Sequence, residues 1–243
     1  MRTYGHIKDA IDFRDLKHPN KPLFTKLPAA IDLRSKCSPV VDQGQLGSCT
    51  ANAIASGLRE YLELSATGKS ESLSRLFLYY YERVLEGTVN YDAGAQIRDG
   101  MKVLQKQGVC PESEAPYNIV EFKKTPSVTA QVDAAKHRIS EYHRVTCLSA
   151  LKTALAQGKP VVVGFYVFES FEGDVAARTG VIPMPKRGER RLGGHAVLAV
   201  GYSDPHGWVI IRNSWGTGWG DQGYCYMPYP VFRKLVNDMW TGQ

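Results

Sequence analysis

The sequence predicts an α+β protein, helical in its first half and strand-rich in its second. Three observations carry this. Between 49 and 107 the apolar residues recur at helical spacing in separate runs. From Pro160 onward the apolar runs are short and rich in Val, Ile and aromatics, as strands are. The four tryptophans all lie beyond position 200. The halves divide near 118–140, and a cleft between two such halves is a common site for chemistry.

Each element has its own signal. Residues 1–26 are polar and basic and read as an extension, either a short blocking segment or a tail. They lack the apolar core of a signal peptide, so a secreted or lysosome-like location would need a signal this stretch does not supply. His18-Pro19-Asn20-Lys21-Pro22 breaks regular structure. The globular body is expected over 27–243, with a helical lobe at about 35–120 and a strand-rich lobe at about 140–230. Ser48 is a candidate N-cap for a helix whose apolar positions 51, 54, 55, 58, 61 and 62 share a face. Cys49 then sits at a helix N-terminus. A second helix is predicted over 74–86, with Leu76, Phe77, Tyr80 and Val84 inward. A third runs over 94–107 and stops at Gly108. A short helix or linker follows near 128–137, and another helix over 147–157 ends at Gly158. Strands are predicted over 160–167, 194–202 and 208–213.

Composition excludes some classes. With 43% hydrophobic and 22% charged residues, the 243-residue chain has the balance of a soluble globular protein. No apolar run nears the roughly 20 residues that span a bilayer. The net charge is +6, but the densest cluster, Lys186-Arg187-Gly188-Glu189-Arg190-Arg191, is short and carries an acid. Nucleic-acid binding is therefore not expected. Five cysteines leave at least one thiol unpaired. Cys37 and Cys110 flank the helical half and are suggested as a pair, while Cys147 and Cys225 either pair or stay as core thiols. No Cys/His cluster has zinc-ligand spacing, and no cofactor is expected.

Four residues then stand out. A thiol acts as a nucleophile only as thiolate, which a helix N-terminus favours; a lone buried cysteine is otherwise an inert core thiol. The strands bearing His195 and Asn213 are joined by Ser203-Asp204-Pro205-His206-Gly207, a strong turn signal. If Tyr202 faces Trp208, Asn213 pairs with about Val197, on the same face as His195. A carboxamide oxygen there would accept the imidazole N–H and fix its tautomer. Taken singly, His195 is as well read as structural and Asn213 as a turn residue. Gln43, in the loop before Cys49, offers a side-chain amide for an oxyanion beside the Cys49 backbone N–H; alone it would be a solvated loop residue.

Together they resemble the papain (cathepsin-like) family of cysteine peptidases, from Leu27 to about Tyr229. Leu27-Pro28-Ala29-Ala30-Ile31-Asp32-Leu33-Arg34 is similar to the mature N-terminus of such enzymes. Pro39-Val40-Val41-Asp42-Gln43-Gly44 and Gly47-Ser48-Cys49 resemble the oxyanion glutamine and nucleophile. Gly194-His195-Ala196-Val197 with Val200-Gly201-Tyr202 resembles the histidine strand. Asn213-Ser214-Trp215-Gly216, followed by Trp219-Gly220 and Gly223-Tyr224, is similar to the asparagine motif. The Cys49-to-His195 spacing falls within the family range of about 130 to 150, and Asn213 somewhat beyond it.

The resemblance implies a two-lobed fold, a helical lobe against an antiparallel β-barrel-like lobe, and thiol-dependent hydrolysis of peptide bonds. Cys49 and His195 would form a thiolate–imidazolium pair, with Asn213 and Gln43 completing the catalytic set. Substrate would extend along Gly94, Gly193 and Gly194, with Trp215 covering the His195–Asn213 contact. Ala196, Met227 and Tyr229 are the candidates for the base of the main side-chain pocket. The implied partners are polypeptide substrates and cystatin-like or pro-segment inhibitors, and the implied state is a monomer, with neither nucleic acid nor membrane. Three departures stand out. Leu46 stands where the family signature has its first cysteine, which removes one half of a family disulfide. Thr50 replaces the aromatic after the nucleophile, and Asp92-Ala93-Gly94 stands where the family pairs glycines. The competing readings are an acyl transferase on the same triad, a silent binding module on this scaffold, and a basic nucleic-acid binder.

Overall fold

The structure is a computed structural model describing residues 2–19, 26–69 and 71–243. The predicted break at Asn20-Lys21-Pro22 lies outside them. The chain opens with a two-residue strand, β1 (His6–Ile7), and returns at β2 (Ala30–Asp32). In the helical lobe, α1 (Cys49–Ala51) continues through a π-helical stretch (Asn52–Arg59) into α2 (Glu60–Thr67). This one rod is the predicted first helix, and its opening turns are buried on every side. Ser48 holds the N-cap position but does not cap. Its hydroxyl instead meets the Tyr117 hydroxyl at 2.5 Å and accepts from Asn52 Nδ2 at 3.0 Å.

The second helix, α3 (Arg75–Glu86), is capped by Ser74, whose hydroxyl accepts the Phe77 N–H at 3.0 Å, and ends at Gly87 with φ +70°. Its inner face differs from the predicted one. Val84 is 43% exposed and Tyr80 half-buried, while Tyr79, Glu82 and Arg83 are buried. The polar pair turns inward because both find partners. Arg83 donates to the Val89 carbonyl at 2.7 Å and lies over the Tyr79 ring. Glu82 accepts from Thr50 Oγ1 at 2.8 Å.

Burial holds the Glu82 carboxyl well above the usual range. An acid whose pKa rises on folding contributes stability that is present at low pH and lost as pH climbs through the folded value. Glu82→Gln keeps an acceptor for Thr50 and removes that titration. Thermal unfolding should therefore show the variant gaining on the parent as pH rises from 5 to 9. A constant difference between the two would refute the assignment.

Next come β3 (Ala95–Gln96) and α4 (Ile97–Lys106). The third helix starts late because Ala95 and Gln96 are drawn into parallel pairing with β1. Residues 128–137 resolve into α5 (Val128–Ala134) and a 3-10 turn (Ala135–His137). Beyond β4 (Tyr142–Arg144) and α6 (Leu148–Ala156) come β5 (Val161–Phe168), α7 (Asp174–Thr179) and β6 (Arg191–Ser203). Then follow β7 (Trp208–Arg212), β8 (Tyr224–Pro228), α8 (Tyr229–Leu235) and β9 (Val236–Gly242).

These strands form a seven-stranded antiparallel sheet in the order β4-β9-β5-β6-β7-β8, with β2 also on β6. Alternation gives it two buried faces. Val162, Leu198, Val200 and Trp240 face the helical lobe's core; Val161, Val163, Phe165, Val197 and Ala199 face the core under α6 and α8. The β9 strand lies beyond the expected lobe limit of 230 and inserts between β4 and β5.

The His195 hairpin has an instructive register. Trp208 pairs with Ser203 rather than Tyr202, a slip of one. A bulge between Ala199 and Gly201 then removes the slip, so Leu198 faces Arg212 and Val197 comes level with Asn213. The suggested Cys37–Cys110 bridge does not form. Cys37 donates to the Leu33 carbonyl, Cys110 is a buried thiol in the helical lobe, and Cys225 is a core thiol under the sheet.

Candidate active site

Gln43, Cys49, His195 and Asn213 converge where the helical lobe meets β6, all buried. Cys49 opens α1. Its sulfur receives backbone N–H groups from Thr50, from Ala196 on β6 and from Gly5. His195 Nε2 lies 2.8 Å from Asn213 Oδ1, which also accepts the Ser214 N–H at 2.9 Å. An oxygen facing Nε2 places the ring proton there and leaves Nδ1 as the basic nitrogen. Nδ1 is buried and without a hydrogen-bond partner among the described residues. Trp215 stacks on the ring at 5.1 Å, and Phe165 and Phe171 meet it edge-on at 5.8 and 6.2 Å. The His195–Asn213 bond is thereby walled off from water.

Gln43 is held at its far end. Its Oε1 accepts the Ser214 hydroxyl at 2.7 Å, while Nε2 donates to the Leu46 carbonyl at 3.0 Å. Asp92, in the position of a family glycine, ties down the loop before Cys49. Its carboxylate accepts the Gly47 N–H at 3.0 Å and the Tyr79 hydroxyl at 2.5 Å.

The cleft is filled by the chain's own N-terminus. Arg2 bonds Asp42 at 2.7 Å and lies over Trp215. The Thr3 carbonyl stands 3.5 Å from Gln43 Nε2. Tyr4 meets His195 and Trp215 edge-on and donates to Glu172. Gly5 crosses the thiol and gives its carbonyl to the Ala95 N–H at 2.7 Å. This passage needs glycine on every side. A Cβ on Gly5 would lie 1.7 Å from the Gly47 oxygen, and one on Gly94 would lie 2.0 Å from the Gly5 oxygen. A Cβ on Gly193 or Gly194 would strike Tyr4 or the His6 carbonyl. Downstream, Asp9 accepts from Trp240 Nε1 at 2.6 Å, and its own N–H donates to Asp238 at 2.8 Å. Lys17 and His18 bridge to Arg144.

Enclosure sets the electrostatics. Burial pushes the Cys49 thiol up to about 11, the nearby Glu82 charge adding to the rise and the backbone N–H groups opposing it. Burial pulls His195 down to about 4 against the Asn213 bond. With the segment in place, burial therefore disfavours both charged forms of the expected thiolate–imidazolium pair.

Gly94, Gly193, Gly194 and Trp215 all line the cleft that the segment occupies. Ala196 is at the centre, but Met227 pairs with Val209 in the sheet's far core and Tyr229 lines a separate cavity with Lys152 and Arg233. Sequence reasoning missed Asn237, Asp238 and Gly164, which surround His6. One signal was there, since a lone glycine inside the valine run of β5 marks a close approach.

A two-lobed fold that brings a thiol and an Asn-held imidazole together at the junction of its lobes defines a class, the thiol-dependent proteases. The model of the papain family of cysteine proteases matches residues 27–233, and the chain belongs to that family. The crystal structure of Xylellain, a cysteine protease from Xylella fastidiosa, superposes with a TM-score of 0.89 at 41% identity, covering 99% of this chain and 95% of that one. An uncharacterized peptidase C1-like protein of Acanthamoeba polyphaga mimivirus is 38% identical over 271 residues, 100% of this chain and 87% of its own length. Cathepsin K of Gallus gallus is 34% identical over 229 residues, 88% of this chain. The chain spans 64% of that cathepsin, less than two thirds.

Proposed function

We propose that this chain is a cysteine endopeptidase held closed by its own residues 2–18. Cys49 attacks a peptide carbonyl, forming a C–S bond while its proton passes to His195 Nδ1. The Gln43 side-chain amide and the Cys49 N–H receive the oxyanion, each such donor being worth roughly 3 to 4 kcal/mol. His195 then protonates the leaving amine, and the thioester is hydrolysed by a water from which His195 takes a proton. The observation that carries this reading is the 2.8 Å His195–Asn213 bond beneath Trp215, which leaves Nδ1 unpartnered on the ring beside Ala196, the residue whose N–H reaches the thiol.

The segment resists cutting by a simple geometry. It offers the sulfur an N–H at Gly5, where attack needs a carbonyl carbon. Opening the cleft would restore solvent to the thiol and imidazole and reverse both shifts. The direct test is cleavage of a fluorogenic dipeptide pool by the opened chain, with and without Cys49→Ala. Turnover that survives the substitution would remove Cys49 as the nucleophile.

Closure should depend on pH through Asp9. Burial, then the Asp238 charge, raise its carboxyl to about 6, while the Trp240 bond and Arg98 oppose this. A raised acid stabilises the closed form below about 4 and loses that contribution as pH climbs through about 6. Asp9 therefore favours opening towards neutrality, not in acid. The alkylation rate of Cys49, divided at each pH by that of an opened variant, should rise from pH 4 to 7. Asp9→Asn, which keeps an acceptor for Trp240, should flatten that rise; an unchanged rise would refute the role of Asp9.

A further inference from the structure

The segment also marks a side-chain pocket. His6 follows the residue that covers Cys49, and its side chain is only 1% exposed. The space it fills exists because β5 and β6 carry glycines there. A Cβ on Gly164 would lie 2.2 Å from His6 Nε2, and one on Gly194 would lie 2.2 Å from the His6 carbonyl oxygen. The floor comes from β9, the strand that inserts beside β5. Asn237 Oδ1 lies 2.9 Å from His6 Nε2, and Asp238 Oδ2 lies 3.4 Å away. The Asp238 side chain is fully buried.

The oxygens of this floor are not equivalent. Arg144 Nη2 holds Asp238 Oδ1 at 2.8 Å from behind. Among the described residues, Asp238 Oδ2 meets groups of the N-terminal segment alone, the Asp9 N–H at 2.8 Å and His6 Nε2 at 3.4 Å. When the segment leaves, Oδ2 and Asn237 Oδ1 both lose a donor at the bottom of the pocket. An apolar side chain entering there would bury two unpaired acceptors. One ending in N–H groups would pair with them, and a cationic one would meet the carboxylate as well.

Resting on the peptidase reading above, we propose that this pocket selects substrates with a basic side chain, histidine or arginine, at the second residue before the scissile bond. The segment crosses the cleft in the direction opposite to a substrate, since it turns the Gly5 N–H and not a carbonyl to the sulfur and lays the preceding Tyr4 against His195, which protonates the leaving amine. By position, Gly5 stands for the residue whose carbonyl is attacked and His6 for the residue before it in a substrate. Tyr4, against His195 and Trp215, lies on the side where the amine departs. The closing Asn237-Asp238 pair is the specificity determinant, and Gly164 sets the depth.

The test uses the full chain carrying Gly5→Glu, which cannot seat the segment. Values of kcat/KM are measured at pH 6.5 on fluorogenic dipeptides that differ only at the second residue before the scissile bond: His, Arg, Leu, Phe and Ala. The expected result is a preference of tenfold or more for His and Arg over Leu and Phe. Asp238→Asn should cut the Arg-to-Leu ratio about tenfold. Gly164→Val should cut turnover of every large side chain, with Ala at that position least affected. Preference for Leu or Phe by the Gly5→Glu chain overturns the pocket assignment and leaves the peptidase standing. No turnover of any dipeptide, together with no labelling of Cys49 by an epoxide trap, overturns the peptidase reading and the assignment with it.

Discussion

Replacing Gly5 by Glu in the full chain is expected to speed alkylation of Cys49 at pH 7 by at least about 30-fold. A Cβ at position 5 would lie 1.7 Å from the Gly47 carbonyl oxygen, a backbone atom with nowhere to move, so the segment must lift out. With the cleft closed, a thiol at about 11 is ionised to roughly one part in ten thousand at neutrality. Return towards an ordinary value near 8.5 raises the thiolate fraction about 300-fold. The less basic thiolate is the poorer nucleophile, which takes back about tenfold. Access gained by removing Gly5 from the sulfur adds to what remains. The same substitution at Phe13, which is 96% exposed, should leave the rate at that of the parent. Equal rates for Gly5→Glu and parent would mean that the segment does not control the thiol.

The second large effect lies at Gln43. In the opened chain, Gln43→Glu should lower kcat by about 10²- to 10³-fold with little change in KM. The substitution keeps the side-chain volume and an oxygen for the Ser214 hydroxyl, which Gln43 Oε1 accepts at 2.7 Å. It replaces the amide donor by a carboxylate at the point where negative charge develops. A fall in kcat alone is the signature of an interaction made only in the transition state. Thermal unfolding of the same variant separates this from damage, since the Leu46 carbonyl also loses its donor. A kcat within about threefold of the parent would remove Gln43 from the oxyanion site.

The parts legible in the sequence were those where local pattern and tertiary role agree. The helix after Cys49 has apolar residues at every expected position, and the family motifs sit on the elements that need them. The His195–Asn213 pairing emerged correctly because the bulge near Val200 cancelled a one-residue slip at the turn. What stayed hidden was set by long-range partners. Val236-Asn237-Asp238 begins a strand although Asn and Asp are poor strand formers. Two adjacent strands supply its ladder, and the N-terminal segment supplies donors for its side chains. The inward turn of Glu82 is equally invisible locally, because it depends on Thr50 across the lobe. Residues 2–18 carry apolar residues at every third position from Tyr4 to Leu16, yet they form no helix. They are ordered by pieces, through His6, Asp9 and the bridge at Lys17, each on a different strand of the body.

That last anchor changes how closure behaves. His18 donates to the Arg144 carbonyl at 2.8 Å, and Lys17 bridges the same residue. A segment that slips out of the cleft while this bridge holds is still tethered a dozen residues away. Its local concentration at the thiol stays in the range of about millimolar. Opening and reclosing are then first-order events, indifferent to how dilute the protein is. Any inhibitor or substrate in solution must outcompete a ligand that never diffuses away, unless the tether is cut or its anchor undone.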